Sequence, residues 1–409
     1  MNCPECGAAL KGDEVVCPNC LARLTAVQQV EQASSETVYE ASPGKAVVPG
    51  KKRGVRLSQR TLRRILLAAL GVAVVMVGTL IYVTRFRKDG NYYFRQGEQA
   101  YYHQQYETAL AAYLRAAELM PNQPLVQTRI GWCYYHLEQD AAAIPYFRRA
   151  VELDPQRGDA YLGLGKAYYY LRQYAESAAY LQKALELDPN LAEAYGYLGT
   201  VKFWQKDYET AISLLKQAVT LNPTDADSLE FMGRAYYEAG YPEEALQPLR
   251  KALEMKPDDP QVQEYLGLTY YALGNYDQAS YQFRSLLLRQ PDDALLYAYL
   301  GQCFYQAGDY DQAVAQFNEA LALTRNSPVQ RITYPLLGWS YYHLERYAEA
   351  ATLFQEAIYF DPESALAYAG LGWSQVQMGQ CEQAKLMFQQ ALVLDPTLQS
   401  AQEGLQACP

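Results

Sequence analysis

From about residue 90 onward, apolar residues recur three and four places apart in stretches of roughly a dozen, the spacing that lays one stripe along a helix. Polar breaks holding Gly, Asn, Asp and Pro separate the stretches, so the pattern predicts helix after helix. The segment before it has a different pattern. Ile65 to Val83 is 19 residues without one charge, about 28 Å long as a helix, which matches the hydrocarbon core of a bilayer. A soluble helix of that length would show a polar face, so a transmembrane helix is expected over 62–84. It starts too deep in the chain to be a cleaved signal peptide and should stay as an anchor. Seven basic residues (Lys51, Lys52, Arg53, Arg56, Arg60, Arg63, Arg64) crowd the approach to it. Residues 22–61 are expected to be a flexible basic linker, their first part lacking apolar periodicity.

Beyond the span the pattern is periodic. Prolines stand at 121, 155, 189, 223, 257, 291, 328, 362 and 396, in steps of 34 except for one of 37. Gly97, Gly131, Gly165, Gly199, Gly233, Gly267, Gly301, Gly338 and Gly372 run in register with them, and twelve places after each Gly stands Ala, or Ser at 177. Nine units of two helices each are therefore expected, with apolar faces buried only by stacking on neighbouring units. Small residues let two helices approach closely, large rings fill the gaps beside them, and Pro stops the second helix.

In these features the chain resembles the tetratricopeptide repeat family, whose pattern is an aromatic, Leu-Gly, Tyr, then Ala, an aromatic and a closing Pro. Tyr161, Leu164, Gly165, Tyr168, Ala184 and Pro189 show it in one unit, and Ala143, Phe147 and Ala150 show the second-helix part in the preceding one. Gln96 and Ala100 depart from it in the first unit and Gln375 in the last, as end units do, and Leu286 replaces Ala in the sixth. Three extra residues around 324–328 predict a longer exit from the seventh unit and a local change of pitch. The resemblance implies an all-α, right-handed superhelical solenoid of nine helix pairs over 90–408, closed by a C-terminal capping helix. Its concave groove would be lined by the first helix of each pair.

In that family the residue four places after the Gly faces the groove. Here it reads Tyr101, Tyr135, Tyr169, Phe203, Tyr237, Tyr271, Tyr305 and Tyr342, ending in Val376. One place after the Gly stand Trp132, Trp339 and Trp373, with Lys166 and Arg234 as the main cations. Such rings offer broad contact area at low entropic cost and a hydroxyl for hydrogen bonds, which suits an extended peptide, a partner helix or a sugar chain. The same stripe could instead be packing, and the first Tyr of each Tyr-Tyr pair is read as core. A clamp for chaperone carboxylate tails would need several Lys and Asn in consecutive first helices, and this groove has few cations.

Charge sharpens the picture. Residues 1–88 hold 13 Lys and Arg against 6 Asp and Glu, and the remainder 22 against 39, so a neck of about +7 precedes a body of about −17. The body has no basic cluster to meet phosphates, and no nucleic-acid partner is expected. Cys3, Cys6, Cys17 and Cys20 form two C-x2-C pairs, spacing that closes a tetrahedron around structural Zn2+. Residues 1–21 are too short to bury a core and would fold on the metal; two disulfides are the alternative. The segment resembles the small zinc ribbons at the N-termini of many prokaryotic membrane proteins. Basic residues are denser before the span than after it, which predicts a cytoplasmic N-terminus and an extracytoplasmic body in a single-pass membrane protein. Cys133 and Cys303 read as core, whereas Cys381 and Cys408 could pair if the body lies outside. His103, His136 and His343 fall at repeat positions rather than beside a nucleophile, and no phosphate-binding Gly loop occurs, so a catalyst is not expected.

The reading is a membrane-anchored protein-protein interaction scaffold that holds a protein or peptide in its groove. Two alternatives stay open: a glycan-binding component of a cell-envelope polysaccharide export or assembly system, and a regulator whose ribbon contacts a cytoplasmic partner.

Overall fold

The computed structural model describes residues 63, 67–77, 89–324 and 327–408, with residue 327 given by its backbone alone. The chain divides into two units, Met1–Phe86 and Arg87–Pro409. In the first, residues 67–77 are helical and exposed, including Leu67, Leu70, Val74 and Val77. Among the described residues no helix is long and apolar enough to cross a membrane. Cys3, Cys6, Cys17 and Cys20, the linker and, apart from residue 63, the two ends of the expected span 62–84 lie outside the described residues.

The second unit is built of paired helices. The first helices are Gly90–Tyr102, Pro124–His136, Gly158–Tyr170, Ala192–Trp204, Ala226–Glu238, Pro260–Ala272, Ala294–Gln306, Ser327–His343 and Ala365–Gln377. Their partners are Tyr106–Leu119, Asp140–Leu153, Tyr174–Leu187, Tyr208–Leu221, Pro242–Met255, Tyr276–Leu287, Tyr310–Leu323, Tyr347–Phe360 and Cys381–Leu394, and Gln399–Ala407 follows the last pair. In its described residues the second unit is an all-α tetratricopeptide-like solenoid.

Local chemistry sets each boundary. Asp89, Asp225, Asp259, Asp293 and Ser364 cap first helices by accepting from backbone N–H groups in the first turn. Between the two helices of a unit one residue adopts the left-handed conformation: Gly240, Gly274, Gly308 and Gly379 in four units, but Gln104, Glu138, Arg172, Lys206 and Glu345 in the others. That residue reverses the chain, and the backbone bond Gln105 N to Ala100 O (2.9 Å) closes the first such turn. Among the described residues five second helices end in an Asx turn, at Asp154, Asp188, Asn222, Asp361 and Asp395. Asp188 Oδ1 accepts from Asn190 N at 2.9 Å, with Pro189 between them blocking any further helix.

The core follows the 34-residue register. The small residue twelve places after each Gly is fully buried in every unit. The residue sixteen places after it (Tyr113, Phe147, Leu181, Leu215, Leu249, Phe283, Phe317, Phe354, Phe388) is also fully buried, lying beneath the Gly. A methyl placed on Gly131 would come within 2.7 Å of the Phe147 ring, so the helices can cross at this distance only where the Cβ is missing. Each helix packs on the next in sequence, and most first helices also touch the first helix of the following unit, whereas consecutive second helices do not pack to that extent. First helices therefore line the inside of the curve. The three extra residues do not lengthen the exit from the seventh unit as expected. The connection between Leu323 and Ser327 is short, and the following first helix runs 17 residues rather than 13. The insertion is absorbed as another helical turn because a helix satisfies its own backbone and an added loop would not.

Candidate partner-binding groove

Four positions of each first helix fall on the inner face: one, four and five places after the Gly, and two places before it. At 100° per residue they occupy an arc of about 120°. The fourth-place rings are half-buried, except Phe203, which is buried. Each is braced from behind. Tyr101, Tyr271, Tyr305 and Tyr342 meet the tyrosine that opens their own second helix, at centroid distances of 5.5 Å (Tyr106), 5.6 Å (Tyr276), 5.7 Å (Tyr310) and 5.4 Å (Tyr347). Tyr169 and Phe203 meet Tyr174 and Tyr208 in the same way, and Tyr135 and Tyr237 instead pack edge-on against Trp132 and Tyr265. Packing and presentation are thus combined: one ring edge is held while part of each tyrosine faces the groove. Burial raises the Tyr101 and Tyr265 hydroxyls to about 12, so both remain neutral hydrogen-bonding groups.

Trp132 and Trp339 repeat one arrangement in the second and eighth units. Each packs edge-on against a buried phenylalanine, Phe147 or Phe354, at 5.2 Å. Beside them His136 stacks on Tyr106 at 4.5 Å and His343 on Tyr310 at 4.4 Å. Burial holds both imidazoles below their ordinary value, with Lys166 adding to the effect at His136. Trp373 packs on Phe388 and donates from Nε1 to the Ser400 carbonyl (3.1 Å), which ties the last unit to the terminal helix.

Lys166 and Arg234 do not present free charge, contrary to the expectation from their positions. The Lys166 ammonium pairs with Glu193 and lies 5.2, 4.6 and 4.9 Å from the ring centroids of Trp132, Tyr135 and Tyr197. The Arg234 guanidinium sits 5.0 Å from Phe203, 5.6 Å from Trp204, 4.6 Å from Phe231 and 4.7 Å from Tyr265, and pairs with Glu230 at 3.0 Å and Gln261 at 3.0 Å. Both cations are about 95 % buried. The rings converge from neighbouring units, and a cation over several aromatic faces with a carboxylate in reach is held more firmly than it would be by guests that come and go.

Between these two boxes lies a trough of about 620 Å3 bordered by Tyr169, Tyr170, Glu193, Tyr197, Asp225 and Phe231. Tyr197, Phe231, Tyr265 and Tyr299, two places before the Gly, and Tyr170 and Trp204, five after it, are groove residues that the fourth-place ladder leaves out. Their signal was helical: both offsets fall on the ladder's own arc. Cys133 and Cys303 are buried, and burial pushes both thiols up to about 12, as core residues.

A family model described as "Cilia and flagella-associated protein 70 C-terminal domain" matches residues 78–293, more than half of the chain. The chain belongs to that family. Two models described as "Tetratricopeptide repeat" match residues 265–328 and 336–364, so the downstream units of this tetratricopeptide-repeat chain are recognised as well. Among solved structures, "Crystal structure of MamA protein" is 25 % identical at a TM-score of 0.37, covering 42 % of this chain and 93 % of that one. "Crystal structure of APC/C hetero-tetramer Cut9-Hcn1" is 13 % identical at a TM-score of 0.46, covering 86 % and 96 %. No curated protein matches the chain.

Proposed function

We propose that this chain is a membrane-anchored scaffold whose concave first-helix face holds an extended segment of a partner protein. The observation that carries the reading is the continuous aromatic face inside the curve, braced ring by ring and interrupted by the 620 Å3 trough. A packed core has no need to leave the fourth-place tyrosines partly exposed, and the tetratricopeptide repeats matched on both sides of the insertion are of a kind that binds proteins. Photo-crosslinking in cells tests it. Benzoylphenylalanine at Tyr271 or Tyr305 is expected to capture a discrete partner, and the same probe at Tyr281, exposed on a second helix, is expected to capture none. Equal adducts at all three positions would overturn the assignment to the groove.

Anchoring rests on the uncharged run Ile65–Val83, whose described portion is an exposed apolar helix. The lipid bilayer is the solvent that such a surface fits. Resistance of the full chain to alkaline carbonate extraction, lost on deletion of 62–84, is the expected result. The disulfide Cys381–Cys408 supports an extracytoplasmic body, since such bonds persist in oxidising compartments. On the other side, Cys3, Cys6, Cys17 and Cys20 would hold structural Zn2+, to be read as one zinc per chain by elemental analysis. Hydroxyls and amides among the rings of the trough (Tyr170, Tyr197, Asn222, Ser228) favour one second reading, a glycan chain in the same groove. Parallel glycan and peptide arrays separate the two.

A further inference from the structure

The box around Arg234 has a second copy one unit downstream, with the cation replaced. Advancing Phe203, Phe231, Tyr265 and Glu230 by 34 residues yields Tyr237, Tyr265, Tyr299 and Glu264, and advancing Arg234 yields Leu268. These downstream side chains do meet: with Glu238 and Gln302 they line a cavity of about 350 Å3 on the groove face. Tyr237 lies edge-on to Tyr265 at 5.7 Å, and the Tyr265 hydroxyl donates to Glu238 at 3.0 Å.

The charges differ between the copies. In the upstream box Glu230 is paired with Arg234 at 3.0 Å and Lys256 at 3.6 Å. Glu264 is half-buried and makes no hydrogen bond or ion pair among the described residues, and burial, with Asp293 nearby, holds its carboxyl above the usual range although the Arg234 guanidinium of the upstream box pulls the other way. Glu238 stands where Trp204 stands upstream, so the downstream box carries two carboxylates and Leu268 supplies no positive charge. A half-buried carboxylate among aromatic faces is costly without a cation, and one entering over those faces gains from both.

We propose that this box receives the guanidinium of an arginine in the partner's bound segment, over Tyr237, Tyr265 and Tyr299 and against Glu264 and Glu238. The inference rests on the groove reading and deepens it by naming the chemistry of one partner residue. Arginine fits better than lysine because its planar guanidinium both stacks on rings and meets carboxylates through paired N–H groups. The upstream box shows this sequence already holding a guanidinium in that geometry. The body's balance of about −17 favours a basic guest.

The test uses the full-length chain in detergent micelles and two fluorescein-labelled nonapeptides, one alternating glycine with arginine, the other with neutral citrulline. Anisotropy titrations should show the arginine peptide binding at least tenfold more tightly. Leu268→Arg, which supplies a built-in guanidinium, should weaken it at least fivefold. Gln278→Arg, the same charge on an exposed part of a second helix, should weaken it less than twofold. Glu264→Gln should weaken it at least threefold, against no change for Glu363→Gln, an exposed control. If Leu268→Arg unfolds by circular dichroism, the glutamate pair and the citrulline comparison decide. Equal binding of the two peptides, or equal effects of Leu268→Arg and Gln278→Arg, would overturn the proposal. Either result would leave the crosslinking test of the groove standing, because that test does not depend on arginine.

Discussion

Reduction of the Cys381–Cys408 bridge should free the terminal helix and little else. The bridge joins the first residue of the last second helix to the residue after Gln399–Ala407, with a sequence separation of 27 and a Cα–Cα distance of 5.4 Å. A nine-residue helix is too short to persist alone in water. Its other restraints are modest: Ala401 is buried, Gly404 passes beneath Phe388, and the Ser400 carbonyl accepts from Trp373. Cys381–Leu394 stays docked, so the segment that comes free is 395–408, and closing a loop of that length removes about 3 kcal/mol of chain entropy from the undocked state, or about two powers of ten in the docking equilibrium. Amide hydrogen exchange read by mass spectrometry, on the oxidised chain and on a Cys381→Ser, Cys408→Ser variant, measures the difference. Exchange protection of 399–408 should fall by about a hundredfold or more, while Pro124–His136 should be unchanged, since each unit contacts only its neighbours. A drop under threefold would show that packing alone docks the helix. Loss of protection spreading to the early units would refute neighbour-only coupling.

The two caged cations should differ in cost. Lys166→Met leaves Glu193 half-exposed and able to take up water, a loss of about 1–2 kcal/mol. Arg234→Met leaves Glu230 buried with only Lys256 at 3.6 Å, a loss of about 3–5 kcal/mol; urea unfolding of the two variants should rank them in that order. Gly131→Ala drives a methyl into Phe147 and should cost about 1–3 kcal/mol in the same assay. Arg172→Gly relieves a left-handed residue where four other units have Gly, and should raise the midpoint by an amount worth about 0.5–1 kcal/mol. His136 and His343 have folded-state values below the ordinary 6.5, so the unfolded chain takes up their protons first as pH falls. Their contribution to stability is complete above about pH 6.5 and is lost as pH drops below it; a His136→Gln, His343→Gln variant should show a flatter profile of unfolding midpoint between pH 7.5 and 5.

Much of the fold was legible because a solenoid repeats its constraints. One Gly under a large side chain, one small residue twelve places on and one Pro at the exit recur until chance is excluded, and every one of those small positions is fully buried. The face that bears the fourth-place rings was legible for the same reason. What could not be read was how the side chains of one unit are used by the next. Lys166 looks like an available cation in its own helix, and only the rings of Trp132 and Tyr197, from the units before and after, cage it. The insertion misled similarly: its length is visible in the spacing of prolines, but whether a loop or a helix absorbs it depends on the backbone hydrogen bonds available at that junction.

The cross-unit contacts nevertheless obey a rule that can be applied to sequence. Lys166 and Glu193, Arg234 and Gln261, Glu238 and Tyr265, Tyr170 and Tyr197, and Trp373 and Ser400 are all 27 residues apart. Glu98 and Arg129 are 31 apart, and Tyr101 and His136, like Tyr342 and Gln377, 35 apart. Relative to the repeat of 34, these offsets are seven back, three back and one forward. Those steps differ by four, the spacing of one stripe on a helix. Two consecutive first helices lying side by side make their polar contacts mainly along such stripes, so a residue's hydrogen-bonding neighbours in the next unit are sought at 27, 31 and 35. Ring pairs such as Tyr237 and Tyr265 fall one place off, at 28. Applied to Leu268, the rule returns Leu295, Tyr299 and Cys303, and Tyr299 is the ring that closes the proposed arginine box. Swapping the charges of Glu98 and Arg129 should therefore preserve most of the stability that either single reversal removes, and a double-mutant cycle by urea unfolding with no coupling between the two would break the rule at its simplest pair.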